Sequence, residues 1–311
     1  MDKNRTLKFI RSVFNLIVNR VGFLYLIVFL IFFYFIGGNF EVSSEIQALN
    51  RIMPPFEPLV EFTEKGTSID GDILDQQVLY FKNVLKHMKG FSAADEMLGL
   101  SYFYQGNKEL AERFLQEAVA NNPDSFWFFY NLGLYYYKAK DYSQAITYFK
   151  KALGCSPKRT MQFMYTSKIY LPIFLASKLD MNKELGSRLQ RGYSYNYRFI
   201  IQSYLEQEDY QNVLTHAVAG IQTNLDQEGV YQYYAGMAAY YLKDFKTAIY
   251  YLQESIKRNP RYSNAFYYLG MSVQALGKED LANNFLKQAE ILKTPQDSLQ
   301  EELAHKELQI Y

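Results

Sequence analysis

The stretch that decides the fold is residues 126–158, which read FWFFYNLGLYYYKAKDYSQAITYFKKALGCSPK. It combines an aromatic segment of helical periodicity, a short polar turn, a second amphipathic segment and a closing proline. The same skeleton occurs 34 residues earlier, where residues 93–123 read AADEMLGLSYFYQGNKELAERFLQEAVANNP. Leu132 and Gly133 align with Leu98 and Gly99. A fixed period of this length predicts two-helix units that stack on one another.

The aligned positions carry a family resemblance. Tyr136 falls on Tyr102, and Ala145, Ala152 and Pro157 fall on alanines and a proline of the earlier unit. A period of 34 residues with Leu-Gly-x-x-Tyr, Ala, Ala and Pro at these spacings resembles the tetratricopeptide repeat (TPR) family. The resemblance implies an all-α fold, a right-handed superhelical solenoid of helix-turn-helix repeats, and partners that are proteins.

The repeats extend in both directions from this stretch. A helix over about 72–89 matches the second half of an opening repeat, and the unit at 160–193 is degenerate, with Thr166 and Ser167 replacing the Leu-Gly pair and Pro172 inside the first helix. The predicted array spans 72–296, with repeats at about 92–125, 126–159, 160–193 and 194–227 (both degenerate), 229–262 and 263–296, followed by a capping helix at 297–311 that opens with Ser298-x-x-Glu301.

Small residues mark where the two helices of a unit approach each other. A glycine occupies the same position of four repeats, and a bulky side chain follows it sixteen residues later. We expect the bulky residue to fill the space that the glycine leaves, because a side chain at the glycine would push the helices apart. The glycines are Gly99, Gly133, Gly236 and Gly270, and the bulky residues are Leu115, Phe149, Leu252 and Leu286.

The N-terminus has the composition of a membrane anchor. Residues 21–38 contain no charged side chain, and 18 helical residues reach roughly the thickness of a hydrocarbon core. A cleaved signal peptide is the alternative, but its apolar region is normally shorter, so a retained transmembrane helix is favoured. The basic residues 1–20 form either an amphipathic helix on an anionic leaflet or a cytosolic continuation of the span.

The flanking charges predict the orientation. Lysines and arginines precede the span, whereas Glu41, Glu45 and Glu57 follow it with only Arg51 among them. The positive-inside rule therefore places the N-terminus in the cytoplasm and the repeats on the other side of the inner membrane, which in a bacterium is the periplasm. Residues 39–71, with Pro54, Pro55 and Pro58, are predicted to form a semi-stiff linker.

Composition and motifs give no support for an enzyme. The chain has 33 basic and 32 acidic residues, which gives no electrostatic case for nucleic acid. Its three histidines lie far apart in the sequence, its single cysteine, Cys155, has no evident histidine partner, and no phosphate-binding glycine loop occurs. We therefore predict neither catalysis nor a metal or other cofactor.

The candidate binding residues come from the TPR resemblance. In that family the first helices of successive repeats line a concave groove, and the matching positions here are rich in tyrosine, which is enriched in binding hot spots. The alternative is that these rings only seal a tight superhelix. The groove candidates are Phe103, Tyr104, Trp127, Tyr130, Asn131, Tyr137, Tyr233, Tyr234, Met237, Tyr240, Tyr241, Tyr267, Tyr268 and Met271.

A second candidate surface is basic. Lys183, Arg188, Arg191 and Arg198 lie within the degenerate repeats among several tyrosines. They form either a docking patch for an acidic partner or lipid head groups, or a solvated face of a drifted repeat.

These features predict a non-enzymatic, membrane-anchored TPR scaffold that mediates protein–protein interactions in an envelope-associated assembly, such as secretion, envelope biogenesis or flagellar and motility machinery. The expected partners are subunits of a membrane complex, and the bilayer through residues 21–38. The alternatives are a structural subunit that self-assembles around a larger membrane machine, and a periplasmic chaperone-like factor.

Overall fold

A computed structural model describes residues 71–160, 181–226 and 228–293, together with Asn15. Within these ranges the regular structure is entirely α-helical, in agreement with the predicted fold class. The helices are α1 (Gly71–His87), α2 (Ser92–Tyr104), α3 (Lys108–Asn121), α4 (Phe126–Lys138), α5 (Tyr142–Gly154), α6 (Met181–Leu205), α7 (Tyr210–Thr223), α8 (Val230–Tyr241), α9 (Phe245–Arg258), α10 (Ser263–Ala275) and α11 (Glu279–Leu292).

Helix pairs occupy the four regular repeats at the predicted places. The pairs α2–α3, α4–α5, α8–α9 and α10–α11 each fall inside one predicted unit, and contacts between α3 and α4 and between α9 and α10 join adjacent pairs. The helix predicted at 72–89 is α1. Stacking is required because neither helix of a pair can bury its apolar face alone.

The glycine positions confirm the predicted close approach within each pair. A Cβ added at Gly133 would lie 2.7 Å from Cδ1 of Phe149, and one added at Gly236 would lie 2.5 Å from Cγ of Leu252. Gly99 meets Leu115 in the same way, at 2.7 Å. The bulky residue sixteen positions later therefore fills the space left by each missing side chain, which explains why the unit carries Leu-Gly in its first helix.

An aspartate cap ends the turn between α4 and α5, between α6 and α7, and between α8 and α9. Asp141, Asp209 and Asp244 each accept a hydrogen bond from the backbone N–H three residues ahead, which caps the second helix. The residue before each of these caps has a positive φ, for example 62° at Lys140. This left-handed residue lets the chain reverse within three positions, so that the two helices run antiparallel.

The middle of the array differs from the predicted repeat boundaries. Repeats 160–193 and 194–227 were predicted to meet at residue 193, but α6 runs without a break from Met181 to Leu205. Gly192 lies inside this helix, and its missing side chain makes room for an indole: a Cβ there would lie 2.3 Å from Cη2 of Trp127. The C-terminal half of α6 packs against α5 and α7 and takes the place of a first helix.

Several predictions fall outside the described residues. These are the segment 1–20 apart from Asn15, the span 21–38, the linker up to residue 70 and the capping helix 297–311. Backbone contacts divide the chain into two units, Met1–Met53 and Pro54–Tyr311, and all eleven helices described above belong to the second. In the part of the chain that the structure describes, no helix has both the length and the apolar character needed to cross a membrane.

Candidate protein-binding surface

The predicted groove residues of α4 are core residues. Trp127 is 2% exposed and Tyr130 is fully buried. The Tyr130 ring lies 5.9 Å from that of Phe149 and 6.2 Å from that of Phe199 (centroid distances), on the two helices that flank α4. Burial raises the pKa of Tyr130 well above its ordinary value. These contacts leave both rings no surface to offer a partner.

Asn131 links the first helices of two neighbouring repeats. Its Nδ2 donates a hydrogen bond of 2.8 Å to Oε1 of Glu96 on α2, and both side chains are buried. Asp95 lies beside Glu96 and is also buried, and burial raises the pKa of its carboxyl group to about 6. The asparagine that we predicted to face a ligand is therefore a structural contact between repeats.

The predicted groove residues Tyr233 and Tyr234 of α8 are also buried. The Tyr233 ring lies 4.7 Å from that of Tyr262 (centroid distance), and burial raises the pKa of both hydroxyls strongly. Ten successive residues of α8, from 230 to 239, are buried on every face of the helix. A side chain covered by its own chain cannot contact a partner in this state. The predicted groove contacts are therefore corrected to core positions at Trp127, Tyr130, Asn131, Tyr233, Tyr234 and Met237.

The remaining candidates reach the surface to different extents. Phe103 and Tyr104 at the end of α2 are half-buried and touch each other edge to face. Tyr137 at the end of α4 is half-buried, and burial together with nearby Glu206 raises the pKa of its hydroxyl. These residues stay predicted contacts, at the last turns of first helices rather than along their length.

A continuous group of tyrosines reaches solvent at the C-terminal end of the array. It draws rings from α7, α8 and α10, and we call it the tyrosine edge. Its most open members, Tyr241 and Tyr267, are 44% and 45% exposed, and the others are half-buried. The tyrosine edge consists of Tyr210, Tyr240, Tyr241, Tyr267 and Tyr268.

Ring contacts hold the tyrosine edge in one arrangement. Tyr210 stacks on Tyr241 with centroids 4.3 Å apart and planes 13° from parallel. Tyr241 lies 5.9 Å from Tyr268, which lies 5.3 Å from Tyr267 (centroid distances). The hydroxyl oxygens of Tyr241 and Tyr268 are 3.1 Å apart and share one hydrogen bond. Each contact adds stabilisation beyond area burial, so the rings are ordered before any partner arrives.

The predicted basic patch does not form as a unit. Arg198 is buried and pairs with Asp226, with 3.4 Å between Nη2 and Oδ1. Oδ2 of Asp226 also accepts hydrogen bonds from the backbone N–H groups of Val230 and Tyr231, which begins α8. Arg198 is therefore corrected to a structural residue. Arg191 is exposed, and the side chains of Lys183 and Arg188 lie outside the described part.

The structure shows no catalytic arrangement in the described ranges. Cys155 is buried and its thiol pKa is raised to about 11, mainly by burial, so the nucleophilic thiolate is disfavoured. The pKa of His216 is lowered, chiefly by burial, and its Nδ1 lies 2.8 Å from the carbonyl oxygen of Asn212. In residues 71–160, 181–226 and 228–293, no three His, Cys, Asp or Glu side chains gather as metal ligands.

Sequence reasoning missed two features of this surface. Tyr210 was not among the predicted groove residues, yet it stacks on Tyr241 and extends the tyrosine edge by one helix. The repeat pattern held no signal for this contact, because Tyr142 and Phe245 at the same repeat position contact the preceding first helix, whereas Tyr210 contacts the following one. The close contact between Gly192 and the Trp127 ring could not be found in the sequence, since the two residues belong to different repeats.

Comparison with known families confirms the repeats. Two models, both described as tetratricopeptide repeat, match residues 96–160 and residues 231–262. The chain therefore contains TPR repeats, on both sides of its irregular middle. No curated protein gives a significant sequence match.

Solved structures share the fold at low identity. One, described as "YrrB: a TPR protein with an unusual peptide-binding site", has a TM-score of 0.50 and 13% identity, and covers 70% of this chain and 93% of its own. MamA has a TM-score of 0.49 and 16% identity, with coverage of 71% and 98%. MamA 41-end from Desulfovibrio magneticus RS-1 has a TM-score of 0.45 and 15% identity, with coverage of 71% and 98%. The likeness to YrrB concerns the helical solenoid alone.

Proposed function

We propose that the protein is a non-enzymatic, membrane-anchored TPR scaffold that binds protein partners within an envelope-associated assembly. The observation that carries the proposal is the tyrosine edge. It presents ordered aromatic rings from three helices at the surface, although the repeat fold needs no ring as exposed as Tyr241 or Tyr267. Large, rigid rings with a polar tip are the side chains that contribute most to protein interfaces.

The anchor and the location rest on the sequence. The uncharged residues 21–38, with basic residues before them and acidic residues after them, support a single span with a cytoplasmic N-terminus. In this arrangement the repeats lie on the periplasmic side of the inner membrane, at the end of a short proline-containing linker. Such a position suits a subunit that collects partners for secretion, envelope biogenesis or motility machinery.

A peptide is a reasonable class of ligand for an array of this kind. YrrB, which shares the fold, is described as a TPR protein with a peptide-binding site. In the present chain the buried residues of α4 and α8 cannot serve this purpose, so the proposed contact is the tyrosine edge together with the half-buried rings at the ends of α2 and α4.

A capture experiment tests the binding function. The full-length protein, solubilised in mild detergent, would be compared with a Tyr241→Ala/Tyr267→Ala double variant and with a Tyr250→Ala control. Tyr250 is 60% exposed but lies on the second helix α9, away from the tyrosine edge. We expect the double variant to lose proteins that the parent and the control both retain. Equal recovery by all three would refute binding through the tyrosine edge.

A topology experiment tests the location. A reporter enzyme that is active only outside the cytoplasm, fused after Tyr311, should be active. A silent fusion, with an active cytoplasmic reporter at the same place, would reverse the proposed orientation.

A self-assembling structural subunit is a second candidate, favoured by exposed apolar residues at the end of the described array. Leu276, Leu281 and Ile291 are 42%, 46% and 66% exposed, and they lie at or near the last helix pair. A second copy could cover them. Mass measurement of the purified chain, with Leu281→Ser/Ile291→Ser as the variant, separates the candidates: an oligomer that the variant dissociates supports self-assembly, and a monomeric parent excludes it.

A further inference from the structure

We propose that the tyrosine edge binds an uncharged, proline-rich segment in the polyproline II conformation. The inference rests on the proposed function, because it specifies the chemistry of the partner segment at the same surface. Three properties of the surface support it: the charge of its helices, the hydrogen-bonding character of its side chains, and the spacing of its rings.

The helices that form the tyrosine edge have no acidic side chain, no lysine and no arginine. Residues 210–223, 230–241 and 263–275 contain no Lys, Arg, Asp or Glu, although 21% of the whole chain consists of these residues. The turns beside the rings carry three acids, Glu208, Asp209 and Asp244, and one base, Lys243. Their net negative charge disfavours an acidic segment, and the uncharged helices impose a desolvation cost on a charged side chain of either sign.

The hydrogen-bonding groups of the edge match a proline-rich backbone. Proline has a carbonyl acceptor and no backbone N–H, so a polyproline segment offers acceptors without donors. Tyrosine supplies a hydroxyl donor beside an apolar ring face that packs on the pyrrolidine ring. Tyr241 and Tyr268 share one hydrogen bond, which leaves one of the two hydroxyl protons to donate elsewhere. The edge thus supplies the donor that this ligand lacks.

The rings are arranged before the ligand binds. The succession Tyr210, Tyr241, Tyr268, Tyr267 has centroid spacings of 4.3, 5.9 and 5.3 Å. A polyproline II helix presents the same side every three residues, or about 9 Å, which exceeds each of these spacings, so its successive faces would contact rings that are not immediate neighbours. Because both surface and ligand are stiff, little conformational entropy is lost on binding.

The chain itself contains one proline-rich segment, which makes self-binding a competing occupant. Residues 54–58 read PPFEP, and they include the acid Glu57. The uncharged character of the edge argues for a ligand without such a charge, and therefore for a segment of a different protein.

Calorimetric titration tests the inference with a defined probe. The probe is a blocked, uncharged peptide of about nine residues with the repeat Pro-Pro-Ala, and the control peptides replace proline by glycine or place aspartate at every third position. The full-length protein in detergent is titrated as the parent, as Tyr241→Ala and as Tyr250→Ala. Tyr241→Phe, which keeps the ring and removes the hydroxyl, separates the donor from the ring face.

We expect saturable binding of the proline probe alone, with Kd about tenfold weaker in Tyr241→Ala and unchanged in Tyr250→Ala. Equal binding of the glycine or aspartate peptides would overturn the inference. So would a detectable interaction only with a peptide of residues 51–62 of this chain, which would assign the edge to self-binding. If the capture experiment retains partners through the edge but no proline peptide binds, the proposed function stands and this inference fails.

Discussion

Gly192→Ala is the most direct test of how α6 packs against α4. A Cβ at this position would lie 2.3 Å from Cη2 of Trp127 and 3.0 Å from Cε1 of Phe126. Trp127 is 2% exposed and Phe126 is fully buried. Because a packed interior transmits such a displacement to its neighbours, neither ring can move aside without disturbing the contact between the two helices.

The magnitude follows from comparison with a second glycine of the same helix. Gly186 has no atom within 4 Å of the position where its Cβ would stand. Alanine is more favourable than glycine inside a helix by about 1 kcal/mol, and both substitutions receive this gain. Only Gly192→Ala also overpacks a core, which costs about 1–3 kcal/mol. We therefore expect the free energy of unfolding of Gly192→Ala to lie below that of Gly186→Ala by about 1–3 kcal/mol.

The assay uses the only tryptophan of the chain as its probe. Trp127 is the residue that the new methyl group strikes, so its fluorescence during urea denaturation reports on the perturbed contact itself. Circular dichroism under the same conditions follows the helices as a whole. In a repeat array each unit contacts mainly its neighbours, so we expect the fluorescence transition to move to lower urea more than the dichroism transition does.

Equal fluorescence midpoints for the two alanine variants would refute this account of α6. A double-mutant cycle adds a control for unrelated damage. Trp127→Leu removes the benzo ring that clashes, so the loss caused by Gly192→Ala should be smaller in that background when unfolding is followed by circular dichroism. An unchanged loss would show that the alanine acts through something other than the indole.

Three further predictions concern buried groups. Burial raises the pKa of Asp95 from 3.8 to about 6, so the parent should lose stability as pH rises from about 4 to about 6. Asp95→Asn should lack this loss and be more stable at pH 7 by on the order of 1 kcal/mol; denaturation curves that parallel the parent at pH 4 and 7 would contradict it. The thiol of Cys155, whose pKa burial raises to about 11, should react with a thiol reagent at pH 8 only as fast as the chain opens, and immediate labelling would count against this. Asp226→Ala should cost about 3–5 kcal/mol because it leaves Arg198 buried without its carboxylate, whereas the exposed cap variant Asp244→Ala should cost about 1 kcal/mol; similar losses in thermal unfolding would refute the distinction.

Most helix boundaries could be predicted because their determinants are local. The pair at 126–158 shows this: Asp141 caps α5, Lys140 takes the left-handed turn before it, and Gly133 sits against Phe149, all within one period. The glycine contact recurs at a fixed place in each regular repeat, at Gly99, Gly236 and Gly270, so the repeat pattern alone locates it. The structure has helices over the ranges of the opening helix and of the pairs on both sides of the irregular middle.

Which of the predicted groove residues are exposed could not be predicted in the same way, because the burial of a side chain depends on contacts between repeats. Trp127 is buried against Gly192, in a helix that runs through the predicted boundary at residue 193. No period relates these two positions, since the repeat pattern is lost between them. A map of groove positions taken from a regular array therefore assigned Trp127 and Tyr130 to a surface that the chain itself covers.

The hydrogen-bond partners of the tyrosine hydroxyls distinguish structural tyrosines from exposed ones. Tyr135 and Tyr136 donate to Lys108 O and Glu112 on the preceding second helix, and Tyr231 donates to the backbone oxygen of Ser194. Those hydroxyls join one repeat to the next, and their rings are core. At the tyrosine edge Tyr241 on α8 and Tyr268 on α10 share one hydrogen bond, which leaves one hydroxyl proton to donate elsewhere. Abundance of tyrosine is therefore no sign of binding in this chain; the sign is a ring at the surface, on helices without Lys, Arg, Asp or Glu, with a hydroxyl proton left to donate.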